Sequence, residues 1–575
     1  MFHILAFILL VTSQASVAAY NCKSLLDSNR EIAIAHFKNG GPIHDYGRQV
    51  NPMTAAQYRE LDLHLLAVSL GKNAETSFGK RRIAWLLANP WSNPASIIAA
   101  QTGVRELHEN RALREAVVHA LASIRNFERH YMIEDRMTSW VYEKVLRTKT
   151  DPKDLMERDA LAFLKPFTDE PTPRRKVYNA VQRFAVPALA LAGKLTGQRM
   201  LFGTASTMNT ATMRHRRKEI HDLTMFTITF RSLSKALLTH AKSDYLRSLG
   251  EFLAMVDKKQ DPLDVKELVS KIESVLYQPT SGSVVDNLFL MNLPIERAAA
   301  TVREKIHLLA GLTSATAEVD ALLSFSRLLS ASTAEKPYTL PHIIEDSEQA
   351  PVATQVSIID GRNALLDLSK PEVPVPNHAV LAADQSLGDR VLFLTGENAG
   401  GKTTYVRQIA QAVVLAQVGA PVPATSARLT PVLLLSTMQR ADSTLDGTSL
   451  FRNEIRRVKA LIDALDGTRH ALVLTDELFS GTSHDQKIAA ETAFLRYLHG
   501  RGLLAIASSH SHELGNLEAE LGGFRNIQIG GLSEHPFKVT RGVSPVRNAL
   551  KIMAEEQLPD ELRRLAEDEY GFKKD

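Results

Sequence analysis

Gly396-Glu397-Asn398-Ala399-Gly400-Gly401-Lys402-Thr403 is a complete G-x-x-x-x-G-K-T string, the spacing that builds a phosphate-binding loop. Its glycines let the backbone turn tightly and aim N–H groups at phosphate oxygens, helped by the helix end that Thr404 continues. Lys402 then reaches β- and γ-phosphates, and the Thr403 hydroxyl holds Mg²⁺. A second string, Leu472-Val-Leu-Thr-Asp476-Glu477, lies about seventy residues on. There Asp476 would hold the magnesium shell, directly or through water, and Glu477 would orient and deprotonate the attacking water. Acidic pairs at strand ends are common, so the weight comes from the distance to the phosphate loop. The expected ligands are ATP and Mg²⁺.

Between the two strings runs Asp446-Gly-Thr-Ser449-Leu-Phe-Arg-Asn-Glu454. Phe451, Ile455, Val458, Ile462 and Leu465 follow at helical spacing, which puts Ser449 at a helix amino terminus. Serine there is ordinarily an N-cap. The functional alternative is that this helix end faces a γ-phosphate bound by another subunit. Leu478-Phe-Ser-Gly481-Thr482-Ser483 forms a tight loop after the acidic pair, and Leu504-Ala-Ile-Ala-Ser-Ser-His510 reads as a strand ending in histidine. A histidine at a strand end is usually a satisfied polar residue; beside a phosphate loop its imidazole can sense a γ-phosphate.

These residues need a particular scaffold. Val391–Leu394, Val432–Leu435, Ala471–Thr475 and Leu503–Ala507 are apolar runs of strand length separated by helical stretches such as Thr404–Val418. That alternation predicts an α/β P-loop NTPase domain, a parallel sheet flanked by helices. From about Ala55 to Leu329 the pattern is mostly α-helical, with Ala112–Ile124 and Ala298–Leu329 amphipathic. The expected organisation is a hydrophobic segment over 1–20, an extension over 21–54, a helical core or lever over 55–340, the ATPase domain over 341–545 and a helical segment over 546–575.

The 575 residues suggest roughly three to four domains. A net charge of +4 is compatible with a polyanionic partner without requiring one. Cys22 is the only cysteine, which excludes a disulfide framework and a cysteine metal site. Ile4–Val11 is unbroken apolar and Val17-Ala18-Ala19 resembles a cleavage site, but no Lys or Arg precedes it. A cleaved signal, a weak membrane anchor and an extension without a targeting role all remain open; the need for ATP favours a cytoplasmic body.

The order of motifs resembles the MutS mismatch-repair ATPase family. The phosphate loop with Thr404-Tyr-Val-Arg407, Gly447-x-Ser449-x-Phe451-x-x-Glu454, Asp476-Glu477 with Gly481-Thr482-Ser483, and Ser509-His510-Ser-His-Glu-Leu514 carry the likeness. Phe78-Gly-Lys-Arg81 resembles the start of that family's lever, and Asp360-Gly-Arg362 its approach to the ATPase, with Asn363-Ala364 in place of His-Pro. The resemblance implies a nucleotide-gated dimeric clamp on DNA, acting in repair or recombination. Each site would be composite, with Ser449 reaching across from a homo- or heterodimeric partner. Arg174-Arg-Lys176 and Arg214–Lys218 are candidate phosphate contacts on the helical arm.

Departures qualify what the resemblance implies. Only about 55 residues precede the lever-like region, without a Phe-x-Glu wedge, which puts mismatch recognition in doubt. No nuclease-like tail follows, so DNA cleavage is not implied. Glu397 replaces the usual proline and adds negative charge near the phosphates, an expected weakening of nucleotide affinity. A nucleotide-gated interaction protein at a membrane surface is the alternative from another class. An ABC-type ATPase is disfavoured because the string L-S-G-G-Q is absent.

Overall fold

Short apolar runs bounded by loops and alternating with helices suit strands buried on both faces of a parallel sheet covered by helices. The computed structural model builds such a sheet, and it describes residues 50–131, 229–254, 306–346, 351–397, 400–438, 450–530, 536–544 and 557–569. The first half contributes helices α1 (Ala55–Glu60), α2 (Leu63–Gly71), α3 (Ser77–Ala88), α4 (Pro94–Glu109), α5 (Arg111–Tyr131), α6 (Asp244–Ala254) and α7 (Ile306–Ser330). Then come β1 (His342–Ile343), β2 (Gln355–Gly361), α8 (Ala364–Ser369), β3 (Asn377–Ala382), β4 (Val391–Gly396), α9 (Lys402–Gln417), β5 (Ser426–Leu429) and β6 (Leu433–Thr437). The remainder is α10 (Leu450–Ala464), β7 (Ala471–Asp476), α11 (His484–Gly500), β8 (Leu504–Ser508), α12 (Leu517–Glu520), β9 (Phe524–Ile529), β10 (Val539–Arg541) and α13 (Asp560–Glu569). The predicted strands and the phosphate-loop helix fall within a residue or two of these bounds.

The chain divides into two compact units. In the first, the described residues fall within Leu70–Trp85 and Thr102–Arg327 and are helical. Leu312, Val319, Leu322, Leu323 and Phe325 of α7 are buried in its core. Two carboxylates are buried there as well, and each is supplied with donors. Asp320 accepts from the Glu75 N–H at 2.9 Å, the Thr76 N–H at 2.7 Å and the Thr76 hydroxyl at 2.6 Å, tying the turn before α3 to α7. Glu318 accepts from Arg82 Nε at 2.6 Å and from the Tyr245 hydroxyl at 2.5 Å.

The described residues of the second unit fall within Gln49–Ser69, Leu86–Gln101 and Leu328–Asp575. Its six-stranded sheet runs β10-β9-β4-β8-β7-β6, parallel except for β10. Val391, Phe393, Val473, Ala505, Leu498 and Phe524 share its core, with the Phe393 and Phe524 rings stacked 6.0 Å apart. A further four-stranded sheet, β1-β5-β2-β3, is antiparallel at β2–β3 and β2–β5. This sheet was not legible in the sequence: β2 and β5 mix buried with exposed or half-buried residues, and the one apolar run, Ala379–Ala382 of β3, is short and follows a Pro-rich stretch. Asn363 caps α8 by accepting the Leu366 N–H at 3.0 Å. Beside it the buried Arg362 pairs with Asp367 at 2.8 Å.

Helix α9 is buried over most of its length and is backed by residues far upstream. Arg407 donates to the Glu60 carbonyl at 2.8 Å and pairs with Asp62 at 2.8 Å. The buried amides of Gln411 and Gln417 donate to the carbonyls of Leu61 and Trp91 at 3.1 and 3.0 Å. Among the described residues no helix is long and apolar enough to cross a membrane. Residues 1–20, Arg174–Lys176 and Arg214–Lys218 lie outside the described residues.

Candidate active site

Strand β4 ends at Gly396, where the chain must turn against β9. A Cβ there would lie 2.2 Å from the Ile529 carbonyl oxygen, so only glycine fits. Gly401 takes a left-handed φ of 98° as the residue before α9, a conformation glycine adopts without steric cost. Between them Gly400 N donates to the Glu397 carbonyl at 3.1 Å. Helix α9 therefore begins at Lys402 with its first N–H groups turned toward the loop, an arrangement that attracts anions. Glu397 is buried at the base of the loop, and Thr404 is exposed. Asn398, Ala399 and Ser449 lie outside the described residues, while α10 begins at Leu450.

Lys402 Nζ donates to the Gly396 and Glu397 carbonyls at 2.9 and 3.0 Å and lies 3.4 Å from His510 Nε2. Burial lowers the lysine pKa, while the neighbouring Glu477 and Asp476 charges oppose that shift. His510 Nε2 is 2.9 Å from Glu477 Oε1. The shorter contact to a carboxylate assigns the proton to Nε2, which then donates to Glu477. Thr403 Oγ1 donates to Asp476 Oδ2 at 2.7 Å, and the Ser508 hydroxyl donates to Asp476 Oδ1. Lys402, Thr403, Asp476, Glu477 and His510, drawn from three separate stretches of sequence, thus meet at the carboxyl ends of β4, β7 and β8.

The Asp476 carboxylate and Thr403 hydroxyl are hard oxygen donors at the foot of the phosphate loop. They suit Mg²⁺, which takes few protein oxygens and keeps its remaining places for water and phosphate. Glu477 stands just past β7 with a left-handed φ of 53°, and Phe479 follows at 57°. Such backbone costs of order ~1–3 kcal/mol per residue and is held only by firm surroundings. Here the Glu477 N–H donates to the Ser508 carbonyl at 3.0 Å. Glu454 of α10 accepts from Ser480 N at 3.1 Å, Ser480 Oγ at 2.8 Å and Gly481 N at 3.2 Å.

Glu454 entered the sequence analysis only as part of a spacing pattern, and its grip on the loop after Glu477 is a finding of the structure. Ser508 stood only inside the Leu504–His510 strand string with no role assigned, and Phe537 was not anticipated at all. Phe537, 46% exposed and at positive φ, holds its ring 3.1 Å from where a Gly401 Cβ would stand. No motif announces an aromatic residue so far along the chain.

Residues 392–567 match the family model of MutS domain V. The DNA mismatch repair protein MutS of Lysinibacillus sphaericus (strain C3-41) is 30% identical over 271 residues, 45% of this chain and 29% of that protein. The protein of that name from Bacillus subtilis (strain 168) is 28% identical over 276 residues, 46% of this chain and 30% of its own length. That of Shouchella clausii (strain KSM-K16) is 34% identical over 230 residues, 39% and 24% of the two chains. The matched stretch spans under a third of each of these relatives.

Proposed function

We propose, from the chain's membership of the MutS family through its domain V, that it binds ATP with Mg²⁺ and hydrolyses the γ-phosphate. The observation that carries this reading is the meeting of Lys402, Thr403, Asp476, Glu477 and His510 around one glycine loop. Lys402 would exchange its loop carbonyls for β- and γ-phosphate oxygens. Thr403 and Asp476 would hold Mg²⁺, which when bound neutralises phosphate charge. Glu477 would orient the attacking water and take its proton, with His510 donating to the same carboxylate and reading the γ-phosphate from beside Lys402. The exposed ring of Phe537 offers a stacking surface for the base, a contact worth ~1–3 kcal/mol in comparable sites.

In this reading the helical unit is the family's core and lever. Two chains, identical or not, would share each site, with Ser449 completing the partner's. ATP would stabilise the closed dimer around DNA, and hydrolysis would release it, in repair or recombination. Glu454 links the helix that begins after Ser449 to the loop after Glu477, so that a partner's nucleotide and the catalytic carboxylate are mechanically joined.

The experiment is ATP turnover by the full chain, with homoduplex, mismatched and branched DNA over a salt series. Expected are turnover abolished in Lys402→Ala, stimulation by at least one DNA, and binding that weakens steeply as salt rises. Turnover indifferent to every DNA would remove the clamp from the proposal, and turnover surviving Lys402→Ala would remove the site itself.

A further inference from the structure

Glu491 sits on α11, 4% exposed, and has no part in the chemistry described above. Phe393, Phe494 and Leu495 line the small cavity beside it. A carboxyl group in such surroundings is costly unless its oxygens find donors, and burial pushes its pKa up. The donor it finds immediately precedes His510. Ser509 Oγ lies 3.0 and 3.1 Å from the two carboxyl oxygens. Ser509 Oγ also accepts the Ser511 N–H at 3.1 Å, and Ser509 N donates to the Leu394 carbonyl at 3.2 Å.

Strand β8 ends at Ser508, and the chain bends at His510. Ser509 is turned to Glu491 on α11, and His510 at the bend is turned to the phosphate loop instead. There His510 Nε2 meets Glu477 at 2.9 Å and approaches Lys402 at 3.4 Å. We infer that Glu491 is a positioning residue for His510: its buried carboxyl fastens Ser509, whose hydroxyl in turn holds the Ser511 N–H, and so presents the imidazole to Glu477 and Lys402. The inference rests on the hydrolytic reading of the site for its effect on rate, and on geometry alone for its effect on His510.

The test uses the full chain carrying Glu491→Ala, Glu491→Gln, Ser509→Ala, His510→Ala or Glu491→Ala with His510→Ala. ATP affinity, single-turnover hydrolysis and the ¹³Cε1 NMR signal of His510, assigned by its loss in His510→Ala, are measured on each. Misplacing a catalytic group predicts hydrolysis slowed about 10- to 100-fold in Glu491→Ala, with ATP affinity unchanged within about two-fold. The His510 signal should move, and the substitution should add nothing once His510 is alanine. Glu491→Gln, whose amide oxygen can still accept from the Ser509 hydroxyl, should recover most of the rate. Should Glu491→Ala not fold, Ser509→Ala carries the same expectation.

An equal loss of rate with and without His510, or an unmoved His510 signal, overturns the inference. A wild-type chain that binds no ATP refutes the hydrolytic reading instead. The His510 signal then still decides whether Glu491 positions it.

Discussion

Glu318 and Asp320 in the helical unit and Asp476 and Glu477 beyond β7 are carboxylates in opposite circumstances. The first two have no exposed surface, and strong donors from distant parts of the chain meet them: a guanidinium, a phenol, a hydroxyl and two backbone N–H groups. The second two are met by hydroxyls and an imidazole, and the Glu477 side chain keeps 24% of its surface exposed. Saturated, dry carboxylates fasten elements together. A carboxylate that is to exchange partners with a substrate keeps water within reach and neighbours that can let go.

The largest effect should separate these roles outright. Glu477→Gln should slow hydrolysis by ~10²–10⁴-fold with ATP affinity retained, since it removes a proton acceptor and little else. Unaltered single-turnover kinetics in that variant would erase the distinction. In the other cluster, Glu318→Ala leaves the buried Arg82 without that carboxylate and should cost ~3–5 kcal/mol of stability, measured by denaturant unfolding. A loss comparable to that of an exposed pair, under ~1 kcal/mol, would mean the cluster is not as dry as its geometry.

The smallest effect concerns pH. Desolvation pushes Asp320 up to about 6, against the hydrogen bonds from Thr76 and Glu75. Because the folded value lies above that of the unfolded carboxylate, the folded form keeps its proton longer. Its contribution therefore falls as pH rises from about 4 to about 6 and is level above that, a change of up to ~3 kcal/mol. Asp320→Ala should accordingly lose more stability relative to wild type at pH 4.5 than at pH 7.5. An equal deficit at both values would show that Asp320 is ionised throughout.

The phosphate loop and the Asp476-Glu477 pair were legible because their chemistry is written in neighbouring residues. The central strands were legible because strands buried on both faces carry near-continuous apolar runs, as β4 does over Val391–Leu394 and β8 over Leu504–Ala507. What joins distant segments was not. Asp320 lies 244 positions from Thr76, and nothing in either local stretch advertises the pairing. Glu454 could be seen to stand at a characteristic spacing, but its partners Ser480 and Gly481 follow only from the packing of α10 against β6. Glu491 is hidden in an ordinary helical pattern, where a lone acid reads as a solvated face until its burial is known.

The upstream backing of α9 bears on how this protein can be divided. A fragment starting at residue 341 would contain every motif of the phosphate site yet lack Glu60, Leu61, Asp62 and Trp91. Gln411 and Gln417, with no more than 1% of their surface exposed, would lose their carbonyl acceptors, and Arg407 its carboxylate. The unit that carries the phosphate-loop motif is discontinuous in sequence. Excision, fusion or domain exchange that respects it must carry residues 49–69 and 86–101 along with the carboxyl-terminal half.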